Sequence, residues 1–586
     1  MLRTDALCAR ISIGRLIVQV RVAGTRFFGC SLEHDMSMNG PERVEAAKGK
    51  SGHIATSLRA LGVAAAIAAP AHAQTRVVYV DKAAPAGGDG SSWHRAFRDL
   101  QEALRAPSVE NATVEIRMAQ GVYTPDESTG DRSRIFNFNA GACLSSAVSL
   151  SLLGSFAGVQ GLDPDTRDYV STRTVLSGDL NNDDGPGNQN RSDNSYCIAM
   201  VGAKEKLIID GIAVRGADTA GAPPGFIQGG GMLAWTRAIG TASSIEVMHC
   251  VFEDNHASSA AAGGLSASSG WVRILACDFM ENSIQVDGQG GGLACWGPGV
   301  VDNCRFVSNR APFGGGLATD TGNGVDVFQC AFLENEAEFD GGAVFGPGRF
   351  ASSLFAGNKA GISGGGMAST VWCWIESCTI ADNVASTGGG ISSVYGWVDI
   401  RSSIVWGNQQ AHGEPAIGLF SNRHHGEISR SVVEGGPDSI ESTGVPFAVG
   451  EGVIGQDPRF IRAASGGSPR DNWNYRLRPG SAAISAGGDG VNLDLDGLTY
   501  VYYSGAPKPD AGCYFTTSAE CKGDLKDDGL RQVDDADFTE FVKAYELSVS
   551  PPANPQVDLN RDGLVDDADF SIFAQAYDSM LCPPLY

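Results

Sequence analysis

Basic side chains are in short supply: 43 lysines and arginines face 67 aspartates and glutamates in 586 residues, a formal net charge of −24. Phosphate binding requires a basic footprint, so duplex nucleic acid is excluded as a partner and cations are the expected company. Long apolar runs are missing too. The apolar run within SLRALGVAAAIAAPAHA, residues 57–73, is too short to cross a bilayer. Lys48 and Lys50 precede it, Arg59 stands near its start, and it ends in the small-x-small triplet Ala71-His72-Ala73. That is the pattern of a bacterial-type secretory signal cleaved after Ala73. Residues 1–73 are therefore read as a signal peptide with an upstream segment that fits no signal pattern, a start at Met36 or Met38 being more economical. No later stretch reads as a transmembrane segment, so the mature chain from Gln74 is expected to be secreted, extracellular or at the cell surface.

Proline is also sparse against glycine, 25 to 77, in a chain that is 42% hydrophobic. So much apolar content excludes a disordered polymer, and so much glycine excludes helical bundles; many tight turns are implied. The length exceeds what one compact core usually organises, which leaves several domains or an elongated repeat. Cleavage would remove Cys8 and Cys30 and leave 12 of the 14 cysteines in an oxidising compartment.

A repeat is what the chain does contain. CVFEDN at Cys250, CDFMEN at Cys277, CRFVSN at Cys304, CAFLEN at Cys330, SLFAGN at Ser353, CTIADN at Cys378 and SIVWGN at Ser403 follow one another at steps of 27, 27, 26, 23, 25 and 25 residues. The first six are each followed by a glycine pair, in which Gly263, Gly291, Gly315, Gly341, Gly365 and Gly389 stand. Such a period marks stacked units. It is too short for a strand-plus-helix crossover of ~30 residues or more, so each unit must be three short strands and three turns. Alternation puts Cys304 and Phe306 on the inner face and Arg305 outside. The closing asparagines (Asn255, Asn282, Asn309, Asn335, Asn358, Asn383 and Asn408) suit corners with left-handed backbone, and stacked they can satisfy one another's amides. The glycines supply positive φ and permit close approach of neighbouring coils. The cysteine column reads either as buried thiols in a small-residue file, with Ser353 and Ser403 as equivalents, or as disulfides; it lacks the close cysteine pairs of a zinc site.

The tandem Phe-x-x-Asn and Gly-Gly pattern resembles the repeats of polymorphic outer-membrane proteins, within the pectin-lyase-like right-handed parallel β-helices. The segment VVYVDKAAPAGGDGSSWHRAFRDLQEAL, residues 77–104, resembles the entry segment of such secreted proteins. One helical stripe is expected there through Trp93, Phe97, Leu100 and Leu104, N-capped by Ser91 or Ser92 and plugging the open end of the coil. DPRF at Asp457, YRLRPGSAAISAG (residues 475–487) and DAGCYF at Asp510 resemble closing coils. The expected architecture is an all-β right-handed parallel β-helix, a solenoid with an N-terminal capping helix, followed by a small α-helical calcium-binding domain. Its parts are the cap at 74–130, the coils at 131–515, clearest over 250–410, and the last module at 521–582.

That last module rests on a duplicated loop. In DLNRDGLVDDAD, Asp558, Asn560, Asp562, Gly563, Asp566 and Asp569 occupy positions 1, 3, 5, 6, 9 and 12 of a calcium loop, and Phe570, Phe573, Ala574 and Tyr577 mark a following helix face. The first copy keeps Asp524, Asp528, Gly529 and Asp537, with Phe538, Phe541, Val542 and Tyr545 on its helix. Lys526 replaces an oxygen ligand there and the loop is longer, so weak or no calcium binding is expected at this copy. The pair resembles a type I dockerin, which implies calcium as cofactor and a cohesin-like protein as partner. The small hydroxyl residues by which dockerins read cohesin are replaced by Asp567-Ala568 and Asp535-Ala536. Cys521 and Cys582 flank the module, and a disulfide clasp between them is expected.

Catalytic signatures are the remaining absence. The Asn-Thr-Asp, Gly-His-Gly and Arg-Ile-Lys motifs of pectin hydrolases do not occur, and Asp-Asp stands only at Asp183, Asp527, Asp534 and Asp566. No catalytic residues are assigned. Asp179, Asn181 and Asp183 have the spacing of a cation loop or of an Asx-rich turn, and Arg423, His424, His425, Glu427 and Arg430 form either an acid-base cluster or a solvated loop. Trp271, Trp372, Trp374 and Trp397 face outward, either to stack on sugar rings or to pack under a neighbouring loop. The reading this supports is a recognition or scaffold protein that binds polysaccharide or another surface ligand and attaches through the tail. A polysaccharide lyase or glycoside hydrolase is the alternative.

Overall fold

The structure is a computed structural model that describes residues 75–105, 113–138, 148–223, 230–236 and 243–410 with short internal gaps, and parts of 417–514. In the tail it describes residues 525, 535–547, 557, 565, 569–571, 573, 574 and 577.

Among the described residues the coils build four parallel sheets. The first has thirteen strands, from Thr75–Val80 to Ala448–Val449; the second has eleven, from Gly121–Tyr123 to Val432–Val433. A third of seven short strands runs from His256–Ser259 to Gln409–Gln410, and a fourth of eleven from Phe136–Asn137 to Glu441–Ser442. Every strand in them pairs in parallel with its equivalent one coil away, as Phe252 with Phe279, Phe279 with Phe306 and Phe306 with Phe332. This is a right-handed parallel β-helix. It departs from three strands per turn because the residues after each asparagine stay extended and pair, which adds the third sheet.

The inner faces are as the alternation predicts. Phe252, Phe279, Phe306, Phe332 and Phe355 are fully buried and stacked, with ring centroids 5.1, 4.8, 4.6 and 4.8 Å apart. Cys250, Cys277, Cys304, Cys330 and Cys378 are buried free thiols, and Ser353 and Ser403 fill the same file. These side chains bond backbone: Sγ of Cys330 lies 3.1 Å from the Phe328 carbonyl and Oγ of Ser353 lies 2.8 Å from that of Ala351. Burial pushes the Cys378 thiol up to about 12, so it stays protonated and unreactive at neutral pH.

The asparagine ladder forms, with a difference in where the strain sits. Nδ2 of Asn309 donates to Oδ1 of Asn335 at 2.9 Å and to the Phe279 carbonyl at 2.8 Å, and the pattern recurs from Asn255 to Asn408. The left-handed residue is the one before each asparagine, among them Asp254 (φ 54°), Ser308 (φ 54°) and Asp382 (φ 56°). A second left-handed corner precedes each cysteine or serine, as at Asn303 (φ 52°). The asparagine is needed for its buried amide, so it keeps ordinary backbone and its neighbour takes the turn. At the opposite corner Gly314 has φ 63°, and a Cβ on the next residue, Gly315, would stand 2.4 Å from the Gly342 carbonyl oxygen.

The entry segment is corrected in detail. Trp93–Arg95 is a single 3-10 turn and Leu100–Arg105 a separate α-helix. Between them Phe97 leaves helical geometry to exchange backbone hydrogen bonds with Tyr79 and Asp81 of the first strand region. Ser92 makes no side-chain cap; Asp99 does, accepting the Gln101 amide at 2.7 Å. Leu100, Ala103 and Leu104 join the core of the first coils, so the short helix covers their apolar end.

The carboxyl-terminal segment is also corrected. The last parallel bridge described joins Val432 to Ile454. Phe460–Arg462 and Asn474–Leu477 then form an antiparallel pair, and this segment does not continue the coils. It lies along the outside of the second sheet. Tyr475 donates its hydroxyl to Asp382 at 2.7 Å, the Gly512 amide donates to the Ser402 carbonyl at 2.8 Å, and the Cys513 amide donates to Oγ1 of Thr379 at 3.1 Å. The cause is visible in the outward positions. Glu253, Asp278 and Arg305 serve the early coils, whereas Leu354, Ala356, Ala381 and Ile404 serve the late ones and are buried beneath the strap.

Candidate functional site

Three places carry chemistry. The first is the tryptophan stripe on the first sheet. Val272, Gly299, Val325, Gly348, Cys373 and Val398 are in register from coil to coil, so the residues just before them form one outward file: Trp271, Pro298, Gly324, Pro347, Trp372 and Trp397. Trp372 leans back over Pro347, its Cζ2 2.9 Å from where a Cβ on Gly324 would stand. Trp397 stacks against Trp372 (centroids 6.4 Å, 26°) and meets Trp374 at 62°. Trp397 and Trp271 are each about two-fifths exposed, while Trp372 and Trp374 are half-buried. The Arg401 guanidinium lies 5.6 Å over the Trp374 ring and is held by Asp399 at 3.0 Å. Trp372 is packed against its neighbours, Trp397 keeps part of its ring exposed, and Trp271 stands apart from the cluster.

The second place is a groove along the third sheet, of about 540 Å³, lined among others by Asn188, Asp254, His256, Glu281, Arg310 and Glu338. Sequence reading passed over it. His256, Ser283, Arg310, Glu336 and Lys359 follow successive asparagines and are aligned coil on coil. Nδ1 of His256 is 2.5 Å from Oγ of Ser283, and its Nε2 is 2.8 Å from Oδ1 of Asp254. Beneath them Arg191, 5% exposed at its side chain, reaches Oδ2 of Asp254 at 2.5 Å and Oδ2 of Asp218 at 3.3 Å. Its guanidinium also donates to the Ala217 carbonyl at 2.9 Å. Burial works against ionisation of Asp254, but the His256 hydrogen bond and the Arg191 charge outweigh it and hold the carboxyl below its ordinary range. The signal that could have found this site is the residue flanking each asparagine, read as a column.

The third place is the tail. Asp558, Asn560, Asp562, Asp566, Asp524 and Asp528 lie outside the described residues, as do Cys521 and Cys582. The two last-position carboxylates are described: Asp569 is fully buried, and Asp537, nearly so, accepts the Leu525 amide through Oδ1 at 2.7 Å. Phe541 of the helix Asp535–Leu547 stacks on Phe573 at 4.7 Å, and Leu525, Val557 and Val565 complete the small core. The equivalent phenylalanines of the two copies therefore pack on each other. Buried carboxylates need a charged or hydrogen-bonding partner, and an all-oxygen donor set fits a hard cation such as calcium.

The remaining sequence candidates are placed as follows. Asp179 and Asp183 come together with Asp193, their carboxylate oxygens within 4.8 Å of one another. Asn181 gives its backbone amide to Asp193 at 2.9 Å, and Asp179 accepts the Asp183 and Asp184 amides, which is the geometry of an Asx-rich loop. Arg423, His424 and His425 lie outside the described residues; Glu427 and Arg430 border a recess of about 240 Å³ with Glu451, which pairs with Arg430 at 2.7 Å.

No protein-family model matches the sequence, and no curated protein matches it. Among solved structures, the crystal structure of pectate lyase Pel9A is similar with a TM-score of 0.37 and 14% identity, over 75% of this chain and 96% of that one. No helix among the described residues is long and apolar enough to cross a membrane.

Proposed function

We propose that the chain is an exported glycan-recognition and scaffold protein, in which the tryptophan stripe contacts sugar and the tail attaches the coil through calcium. The observation that carries this reading is the open Trp397 face, stacked on Trp372 and bordered by the Arg401–Asp399 pair. An apolar ring face with polar groups at its rim matches the alternation of C–H faces and hydroxyls on a pyranose. Aromatic anchors typically dominate such contacts. Screening the mature chain on a glycan array should give binding, and Trp397→Ala should weaken it about tenfold, ~1.4 kcal/mol. Trp271→Ala, four coils from the nearest other tryptophan of its file, should leave it within twofold. Equal binding by the Trp397 variant would refute the stripe as the contact.

For the tail the reading is one strong calcium loop, Asp558, Asn560, Asp562, Asp566 and Asp569, beside a copy weakened at Lys526. The buried Asp537 and Asp569 support a cation-dependent fold, because metal binding to so small a module supplies folding energy. Calorimetric titration of the mature chain should give one dominant calcium event, which Asp562→Ala abolishes and a chelator reverses with loss of helical signal. Two events of equal affinity would mean that Lys526 does not impair the first loop. A cohesin-like partner is the attachment the dockerin resemblance implies, and a pull-down with and without calcium tests it. The clustered acids and histidine of the groove favour a second reading, an enzyme acting on polysaccharide, which new reducing ends or unsaturated products from a substrate panel would establish.

A further inference from the structure

The groove on the third sheet holds an arrangement that recognition does not require. Asp254 lies just before the asparagine of its coil and His256 just after it; Ser283 takes the place of His256 one coil on, and Arg310 the place of Ser283 one coil further. Coil stacking thus sets an acid, an imidazole, a hydroxyl and a guanidinium in sequence along one wall. The protonation pattern follows from the partners. The Asp254 carboxylate, already receiving Arg191 on Oδ2, can only accept, so Nε2 of His256 carries the hydrogen that it donates to Oδ1. In the neutral imidazole Nδ1 is then the bare nitrogen, and the hydroxyl 2.5 Å away, Oγ of Ser283, donates to it.

We propose that Asp254, His256 and Ser283 form a nucleophilic centre that hydrolyses carboxylic esters carrying a small acyl group and an uncharged alcohol. The geometry meets the requirements for an activated serine: nucleophile to base, and base to orienting carboxylate, each within hydrogen-bond reach. Arg191, itself shut off from solvent, fixes the carboxylate from below and so acts as a positioning residue. Oγ of Ser283 attacks the ester carbonyl carbon while its proton passes to Nδ1 of His256. The carbon–alkoxy bond breaks, and the leaving alcohol takes that proton. Water then attacks the acyl-serine, gives a proton to His256, releases the carboxylic acid and restores the Ser283 hydroxyl. Arg310, in register with Ser283 and 3.8 Å from Glu336, is the cation one coil beyond the nucleophile. Asp254, Glu281 and Glu338 outnumber Arg310 along the lining, so an anionic substrate is repelled and a neutral acylated saccharide or alcohol is favoured.

The test uses the full mature chain with a fluorophosphonate probe and p-nitrophenyl acetate. Peptide mapping of the labelled wild-type protein should place the phosphonyl adduct on Ser283. Ser283→Ala should abolish labelling and reduce acetate release at least 100-fold, His256→Gln should do the same, and Ser268→Ala, an exposed serine on the fourth sheet, should change neither. Circular dichroism and sedimentation establish that the variants remain folded. Absence of label, or label at another residue of the wild-type chain, overturns the proposal whether or not any variant folds. Hydrolysis that survives in a folded Ser283→Ala protein overturns it as well.

Discussion

Asn309→Leu is expected to destabilise the coil stack by about 4 kcal/mol, because it strips the side-chain partner from two buried backbone groups at roughly 1–3 kcal/mol each. The side chain of Asn309 is fully buried and makes four hydrogen bonds. Two of them have replacements: Nδ2 of Asn282 keeps the Phe252 carbonyl, and Oδ1 of Asn335 keeps the Asn309 amide. The Phe279 carbonyl and the Asn282 amide lose the side-chain partner that satisfied them. Leucine fills the volume, so the loss is polar and not a cavity. Denaturant unfolding would read the cost, and hydrogen exchange would place it. Protection should fall at the Asn282 amide and in the two coils beside it, since stability in a stacked array is a sum of nearest-neighbour terms. A cost below about 1 kcal/mol would mean that water or a backbone shift satisfies those groups, and the ladder would not be what clamps the coils.

Phe306→Ala is the other large effect, about 3–5 kcal/mol. The ring stands between Phe279 at 4.8 Å and Phe332 at 4.6 Å, fully buried, and the rings on either side are locked in turn by Phe252 and Phe355. Truncation therefore opens a cavity that the rigid neighbouring coils cannot collapse to fill. Phe306→Leu keeps most of the volume and should cost under about 1.5 kcal/mol. If alanine and leucine prove equivalent in thermal unfolding, the stack contributes geometry and little packing energy, and the account of the core fails. Because the two residues belong to one coil and Asn335 bonds the Phe306 carbonyl, Asn309→Leu and Phe306→Ala together should deviate from additivity.

Much of this was legible in the chain because a solenoid writes its tertiary contacts at a fixed interval. The inward phenylalanines and cysteines, the outward Arg305 and the amide ladder each follow from one period and one alternation. Position within the repeat was less legible than membership of it. Asparagine was expected at the left-handed corner, since its side chain tolerates that backbone, yet the preceding residue takes it because the amide must point inward. The spacing of Trp93, Phe97, Leu100 and Leu104 predicts one helical stripe. The first strand's need for backbone partners at Phe97 interrupts it, and Asp99 starts the helix afresh. The strap over the second sheet was announced by Leu354, Ala381 and Ile404 at outward positions, a change of polarity confined to the late coils.

The site is another matter. His256 and Ser283 are 27 residues apart and Arg191 lies 63 residues before Asp254, so their contacts have no local signature. The amino-acid order alone fixed that the protein stacks short strands, which side chains fill its interior, and that its tail carries a duplicated acidic loop, because periodicity and ligand spacing are properties of sequence. Which columns become neighbours across a corner, where the buried guanidinium docks and which flank the strap covers were decided only in three dimensions. Turn geometry sets those registers through backbone hydrogen bonds, and nearly every residue type can supply such bonds.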